Sequence, residues 1–139
     1  LVNPSSPCGR SYMHGPAYGA GKAGVDKMAH DMAVDFEPHQ VAVVSLWMGL
    51  LKTERTQAAF AADPDLYREM MAMVESPEFT GRVIAALAAD KLRMTRSGKV
   101  YFAAELGAEY GLADIDGRLP PSPRLMFGDE TQFTDIVIQ

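Results

Sequence analysis

The sequence predicts an α/β fold, a doubly wound parallel sheet with helices on both faces in a three-layer α/β/α arrangement. Three observations carry this expectation. A helix-length segment opens at Pro16 and is stopped by Pro38. The run Val41-Ala42-Val43-Val44-Ser45-Leu46-Trp47 is rich in β-branched residues and lacks alternation, as a strand buried on both faces would. Helical and strand-like segments then continue to alternate down the chain.

The elements follow in order. Leu1-Val2-Asn3 reads as the end of a strand, running into a turn-rich loop, Pro4-Ser5-Ser6-Pro7-Cys8-Gly9. The helix from Pro16 to about Glu37 carries Tyr18, Val25, Met28, Met32 and Phe36 at steps of three, four and seven, which predicts one apolar stripe. Its first turns are filled with Gly and Ala. Glycines there cost roughly 1 kcal/mol each relative to Ala, so contacts outside the helix must hold that segment. After the Val41–Trp47 strand, Met48 to Arg55 reads as a loop. Residues from about Thr56 to Glu75 form one or two short helices, the second starting at Asp63-Pro64. Ser76-Pro77-Glu78 is an N-terminal signal for a helix over Phe79–Asp90. Lys99–Phe102 is a short strand, Ala103–Tyr110 a helical turn or two, and the chain from Gly111 onward an irregular tail.

Composition narrows the function classes. The 139 residues suit a single domain, and 47% apolar with 22% charged residues is ordinary for a globular protein. A net charge of −5 without any Lys/Arg cluster argues against nucleic-acid and anionic-membrane surfaces. The longest apolar stretch, Val41–Leu51, is too short to span a bilayer. Cys8 is the only cysteine, so no internal disulfide can form, which points to a reducing, cytoplasmic compartment. His14, His30 and His39 have no metal-ligand spacing. The acidic residues show no paired-carboxylate or EF-hand spacing and read as a solvated surface. The Met-rich stretch Met70–Val74 reads as packing, or as a hydrophobic lid over a substrate.

The chemistry-bearing pair is Tyr18 and Lys22. Four residues apart on a helix, they share one face one turn from each other. An ammonium beside a phenol favours the phenolate, and a phenol so tuned can pass a proton to or from a substrate oxygen.

Tyr18-x-x-x-Lys22 resembles the catalytic motif of the short-chain dehydrogenase/reductase family, and its neighbours extend the resemblance in order. Asn3-Pro4-Ser5-Ser6-Pro7-Cys8-Gly9 resembles the family's Asn-x-Ser-Ser-x-x-Gly segment. Motif order makes Ser6 the catalytic serine, twelve residues before Tyr18; a thirteen-residue spacing selects Ser5 instead, and both stand. Trp47-Met48-Gly49-Leu50-Leu51-Lys52-Thr53-Glu54 resembles the Pro-Gly-x-x-x-Thr loop beside the nicotinamide, with Met48 in place of the proline. From Glu75 to Arg118 the chain is similar to a narrower subgroup, the dehydrogenase/reductase SDR family member 1-like proteins. The family's N-terminal glycine-rich phosphate loop and the residue that selects NAD or NADP have no counterpart.

The resemblance implies the C-terminal half of a Rossmann-like subunit, with residues 1–110 running from the end of the fifth strand through the seventh and 111–139 as a tail. It implies NAD(P)-dependent interconversion of an alcohol and a carbonyl, either cofactor being compatible. Tyr18 would be the acid/base, Lys22 would tune it and hold the nicotinamide ribose, and Ser6 would orient the substrate oxygen. Gly49, Leu51 and Thr53 would flank the nicotinamide, although Thr53 also fits a helix N-cap. The expected partners are a small alcohol or carbonyl substrate, the missing N-terminal half, and further copies in a homodimer or homotetramer. Without that half the chain is expected to be inactive. Two rival readings are a non-catalytic assembly module using the Val25/Met28/Met32/Phe36 face, and an extended-family sugar-nucleotide epimerase or dehydratase.

Overall fold

The computed structural model describes residues 1–138. Three parallel strands, β1 (Val2–Ser5), β2 (Val44–Trp47) and β3 (Val100–Phe102), form one sheet in the order β1-β2-β3. All four residues of β2 are buried, as expected for a central strand covered on both faces. Ser5 is in register with Trp47, and Trp47 with Phe102, so the carboxyl ends of all three strands share one edge.

Period-two alternation sorts β2 between the layers. Ser45 and Trp47 face the long helix α1 (Pro16–Phe36), hydrogen-bonding its Asp26. Leu46 faces the other way, against Phe79 and Val83 of the helix over Pro77–Ala89 and Ala103 and Leu106 of the helix over Ala103–Glu109. Three layers result.

β2 is shorter than the apolar run that announces it. Val43 is fully buried but outside the strand: its amide donates to Ser97 Oγ (3.0 Å) and its carbonyl accepts from Gly98 N–H (2.7 Å). Its hydrophobicity records burial, and ladder pairing begins one residue later. β1 conversely continues past Asn3 to Ser5.

The inward face of α1 differs from the expected stripe. Asp26, Ala29 and Ala33 are its buried residues, with Met32 and Phe36 flanking Val43, whereas Tyr18 is 41% and Met28 50% exposed. Small side chains bring the helix close to the sheet, and the polar groups of Ser45 and Trp47 require an acidic partner at the contact. Asp26, Glu75 and Asp114 are all buried, which corrects the reading of the acidic residues as a solvated surface.

Between β2 and the next long helix the chain forms α2 (Glu54–Ala62) and α3 (Arg68–Met71). Asp63-Pro64 opens a turn in place of a helix, with Asp63 Oδ1 accepting from Leu66 N–H (3.0 Å), and regular α3 starts only at Arg68. Helix α4 (Pro77–Ala89) is capped by Ser76 Oγ, which accepts from Phe79 N–H (3.1 Å) and donates in turn to Asp114. Helix α5 (Ala103–Glu109) follows β3 directly. Among the described residues beyond Gly111 the chain is irregular apart from the single turn α6 (Arg124–Phe127), yet Phe133 returns to pack on Trp47, Val100 and Phe102. Among the described residues no helix is long and apolar enough to cross a membrane.

Candidate active site

The candidate residues lie at the carboxyl edge of the sheet, where open α/β sheets place their ligand crevices. β1 leads into Ser6 and β2 into the loop Met48–Thr53, and the two strands end in register. The N-terminal turns of α1, which carry Tyr18 and Lys22, pack against the short 3-10 turn Pro7–Gly9 that follows Ser6. A Cβ on Gly9 would lie 2.8 Å from the Ala23 amide nitrogen, so only glycine permits this approach. The small residues noted at the helix start thus hold the serine segment against the Tyr18–Lys22 turn.

Lys22 Nζ lies 5.8 Å from the centroid of the Tyr18 ring, and the His14 ring meets Tyr18 edge-on at 5.2 Å. The two serines differ. Ser5 is fully buried and its hydroxyl donates to the Lys22 carbonyl at 3.4 Å, so it ties β1 to α1. Ser6 is partly exposed, and its buried Oγ has no protein hydrogen-bond partner.

In the loop after β2, Thr53 caps α2: its Oγ1 accepts from Thr56 N–H at 3.2 Å. The N-cap reading therefore holds, and the exposed Thr53 Oγ1 also shares a hydrogen bond with Thr56 Oγ1 at 3.0 Å. Leu51 forms a parallel bridge with Glu75, in which Glu75 N–H donates to Leu50 C=O (2.9 Å) and Lys52 N–H to Glu75 C=O (2.8 Å). In such a bridge the central residue's own N–H points to the opposite side, so the Leu51 amide faces away from Glu75.

The Glu75 carboxyl sits behind this loop, 1% exposed. Burial pushes it up to about 7; the Gly49 amide and Thr80 hydroxyl oppose that rise and the Asp114 charge adds to it. Its Oε1 accepts from Thr80 Oγ1 at 3.4 Å, and its Oε2 turns toward Gly49, close enough for the amide to favour the charged form but outside hydrogen-bond geometry. Sequence reasoning passed over both Glu75 and Asp26. Asp26 stands one helical turn after Lys22 in the series Tyr18, Lys22, Asp26, a spacing that could have marked it.

The nicotinamide end of a dinucleotide fits this edge. The unpartnered Ser6 hydroxyl, the outward Leu51 amide and the half-exposed phenol of Tyr18 are hydrogen-bonding groups not used up by the fold. Among the described residues no group of three or more His, Cys, Asp or Glu is placed to hold a metal ion. Cys8 is buried, its Sγ 3.3 Å from Met13 Sδ.

Residues 1–64 match the model of the short chain dehydrogenase family. Dehydrogenase/reductase SDR family member 1 of Mus musculus is 41% identical over 126 residues, 85% of this chain and 40% of the relative. The Homo sapiens protein of the same name is 39% identical over 125 residues, with the same coverage. The chain thus spans about 40% of the length of the curated relatives it matches. Among solved structures, an NADPH-bound short chain oxidoreductase of Pseudomonas aeruginosa with an atypical catalytic center is similar at a TM-score of 0.60. It is 24% identical, the match covering 73% of this chain and 42% of that one. A 3-oxoacyl-[acyl-carrier protein] reductase of Brucella melitensis in complex with NAD gives a TM-score of 0.60 at 19% identity, over 73% and 42% of the two chains. These likenesses carry the fold, a Rossmann-like α/β arrangement whose solved examples hold either NADPH or NAD. The match of residues 1–64 to the family model, and of 85% of the chain to curated relatives, makes the chain similar to the short-chain dehydrogenase/reductase family, with Tyr18, Lys22 and the serine segment at one edge of its sheet.

Proposed function

We propose that this chain supplies the acid–base and substrate-facing part of an NAD(P)-dependent oxidoreductase that interconverts an alcohol and a carbonyl. The observation that carries the reading is the pairing of Tyr18 and Lys22 on one turn of α1, held by Gly9 and Ser5 against the segment that presents an unpartnered Ser6 hydroxyl. When bound, the nicotinamide supplies the hydride chemistry. Tyr18 Oη donates a proton to the substrate oxygen in reduction and accepts it in oxidation. The Lys22 ammonium stabilises the phenolate that remains and holds the nicotinamide ribose. Ser6 Oγ donates to the substrate oxygen and so stabilises charge developing there. Gly49, the Leu51 amide and Thr53 flank the nicotinamide.

On this reading residues 1–110 are the C-terminal half of the catalytic domain, residues 111–139 are its tail, and the remainder of the dinucleotide site comes from a preceding half. The 139 residues alone are then inactive. Copies pair through the exposed flank of α1 around Met28, as homodimer or homotetramer. The test is Lys22→Met in the intact protein, assayed with NADH and NADPH against small aldehydes and ketones. The reading expects a higher KM for the cofactor together with a fall in kcat of at least tenfold. Both constants within twofold of the parent would overturn it.

A further inference from the structure

We propose that Glu75 is a positioning residue for the loop Gly49–Thr53, holding it from behind so that the Leu51 amide and Thr53 face the nicotinamide. The inference rests on the oxidoreductase reading above. Three contacts tie Glu75 to the loop, and a fourth anchors the residue beside it. Glu75 lies outside the sheet and 24 residues from Leu51, yet its main chain brackets that residue with hydrogen bonds of 2.9 and 2.8 Å. Its side chain turns under the same loop: a Cβ built on Gly49 would lie 2.7 Å from Oε2 and 3.2 Å from Cδ. Its next neighbour Ser76 starts α4 as the N-cap and is itself held by buried Asp114, whose oxygen accepts from Ser76 N–H at 2.8 Å. Glu75 therefore joins the loop to the first turn of a helix packed on the sheet.

The departure at Met48 gives this arrangement its purpose. The loop lacks the proline that would stiffen it, and a loop free to move by about 1 Å can lose on the order of 100-fold in a reaction that depends on placement. Main-chain bonds alone would fix the Leu50–Lys52 strand segment. The buried carboxyl extends that hold to Gly49, at the point where β2 opens into the loop. The side chain must be long and polar at its end, but a charge is not required. Gln serves in place of Glu, whereas Ala leaves Gly49 unsupported and Thr80 without its acceptor.

The experiment uses the intact protein with Glu75→Ala, Glu75→Gln and Gly49→Ala. NAD(P)H binding is read by fluorescence titration, and exposure of the Lys52–Thr53 bond by trypsin cleavage without cofactor. The proposal expects Glu75→Ala to weaken NAD(P)H binding by roughly 10- to 100-fold and to speed cleavage after Lys52, with Glu75→Gln within about threefold of the parent in both. Gly49→Ala, which pushes a methyl group onto the carboxyl, should weaken binding in the parent and less so when combined with Glu75→Ala. Unchanged binding and cleavage in Glu75→Ala would overturn the proposal, as would equal losses in the Ala and Gln variants. If Glu75→Ala does not fold, unchanged cofactor affinity and unchanged cleavage after Lys52 in Gly49→Ala overturn it equally. A parent protein that binds neither NADH nor NADPH overturns the oxidoreductase reading, while the cleavage comparison still decides whether Glu75 holds the loop.

Discussion

Asp26→Ala removes the polar centre of the contact between α1 and the sheet. Its Oδ1 accepts from Ser45 Oγ at 2.6 Å, and its two oxygens accept from Trp47 Nε1 at 3.0 and 3.1 Å. Ser45 and Trp47 are both fully buried, so neither donor can turn to water once the carboxyl is gone. A stranded buried donor costs about 1–3 kcal/mol, which puts the two together at about 2–6 kcal/mol. Removing the acid also relieves its own burial, so the lower half of that range, about 2–4 kcal/mol, is the expected loss. Against a total stability of about 5–15 kcal/mol this is a large fraction. Equilibrium urea unfolding of the intact protein reads it as a lower midpoint at unchanged slope. Asp26→Asn keeps one acceptor and should fall between the parent and Asp26→Ala. A loss below about 0.5 kcal/mol for Asp26→Ala would refute the reasoning, because it would mean that the indole and the hydroxyl find other partners.

Two further outcomes follow from the site. Ser6→Ala should lower kcat by at least tenfold with stability nearly unchanged, since Ser6 Oγ has no protein partner, whereas Ser5→Ala should cost about 0.5–1.5 kcal/mol and leave kcat within a few-fold; kinetics and thermal unfolding on the two variants check this. For Glu75, the folded carboxyl binds its proton up to about pH 7 while the unfolded one releases it near 4.5. The folded state thus holds the extra proton between those values, and this group's contribution makes stability fall as pH rises through the window. Burial supplies most of the effect and the Asp114 charge adds to it, which together amount to about 3 kcal/mol at full extent. Glu75→Gln should remove that slope, read as the difference between parent and variant unfolding at pH 5 and pH 8.

The fold was legible where periodicity and burial coincide. The Pro16–Phe36 helix, the central strand and the Ser76-capped helix are all announced by breakers, caps and unbroken β-branched residues. Legibility failed where burial and pattern separate. Val43 looks like strand and is instead a buried connection, because apolar character reports removal from water and not ladder geometry. α1 buries Asp26 and two alanines rather than its largest apolar residues, because close approach to the sheet favours small side chains and Ser45 and Trp47 need an acceptor. Tyr18, Lys22 and the serines were legible as candidates because the motif that proposes them consists of short spacings in the chain. Glu75 could not: 24 to 26 residues separate it from Leu51 and Gly49, and only the fold brings them together. The choice between Ser5 and Ser6 was likewise beyond spacing, and hydrogen-bond satisfaction favours Ser6 as the free hydroxyl.

The central claim is that the Tyr18 phenol moves the proton. The most direct measurement is single-turnover oxidation of NAD(P)H by the intact protein and its Tyr18→Phe variant with the same carbonyl substrate, alongside cofactor affinity by fluorescence titration. The account predicts a rate loss of about 10²- to 10⁴-fold with the cofactor Kd within about threefold of the parent. Turnover in Tyr18→Phe within tenfold of the parent would contradict it.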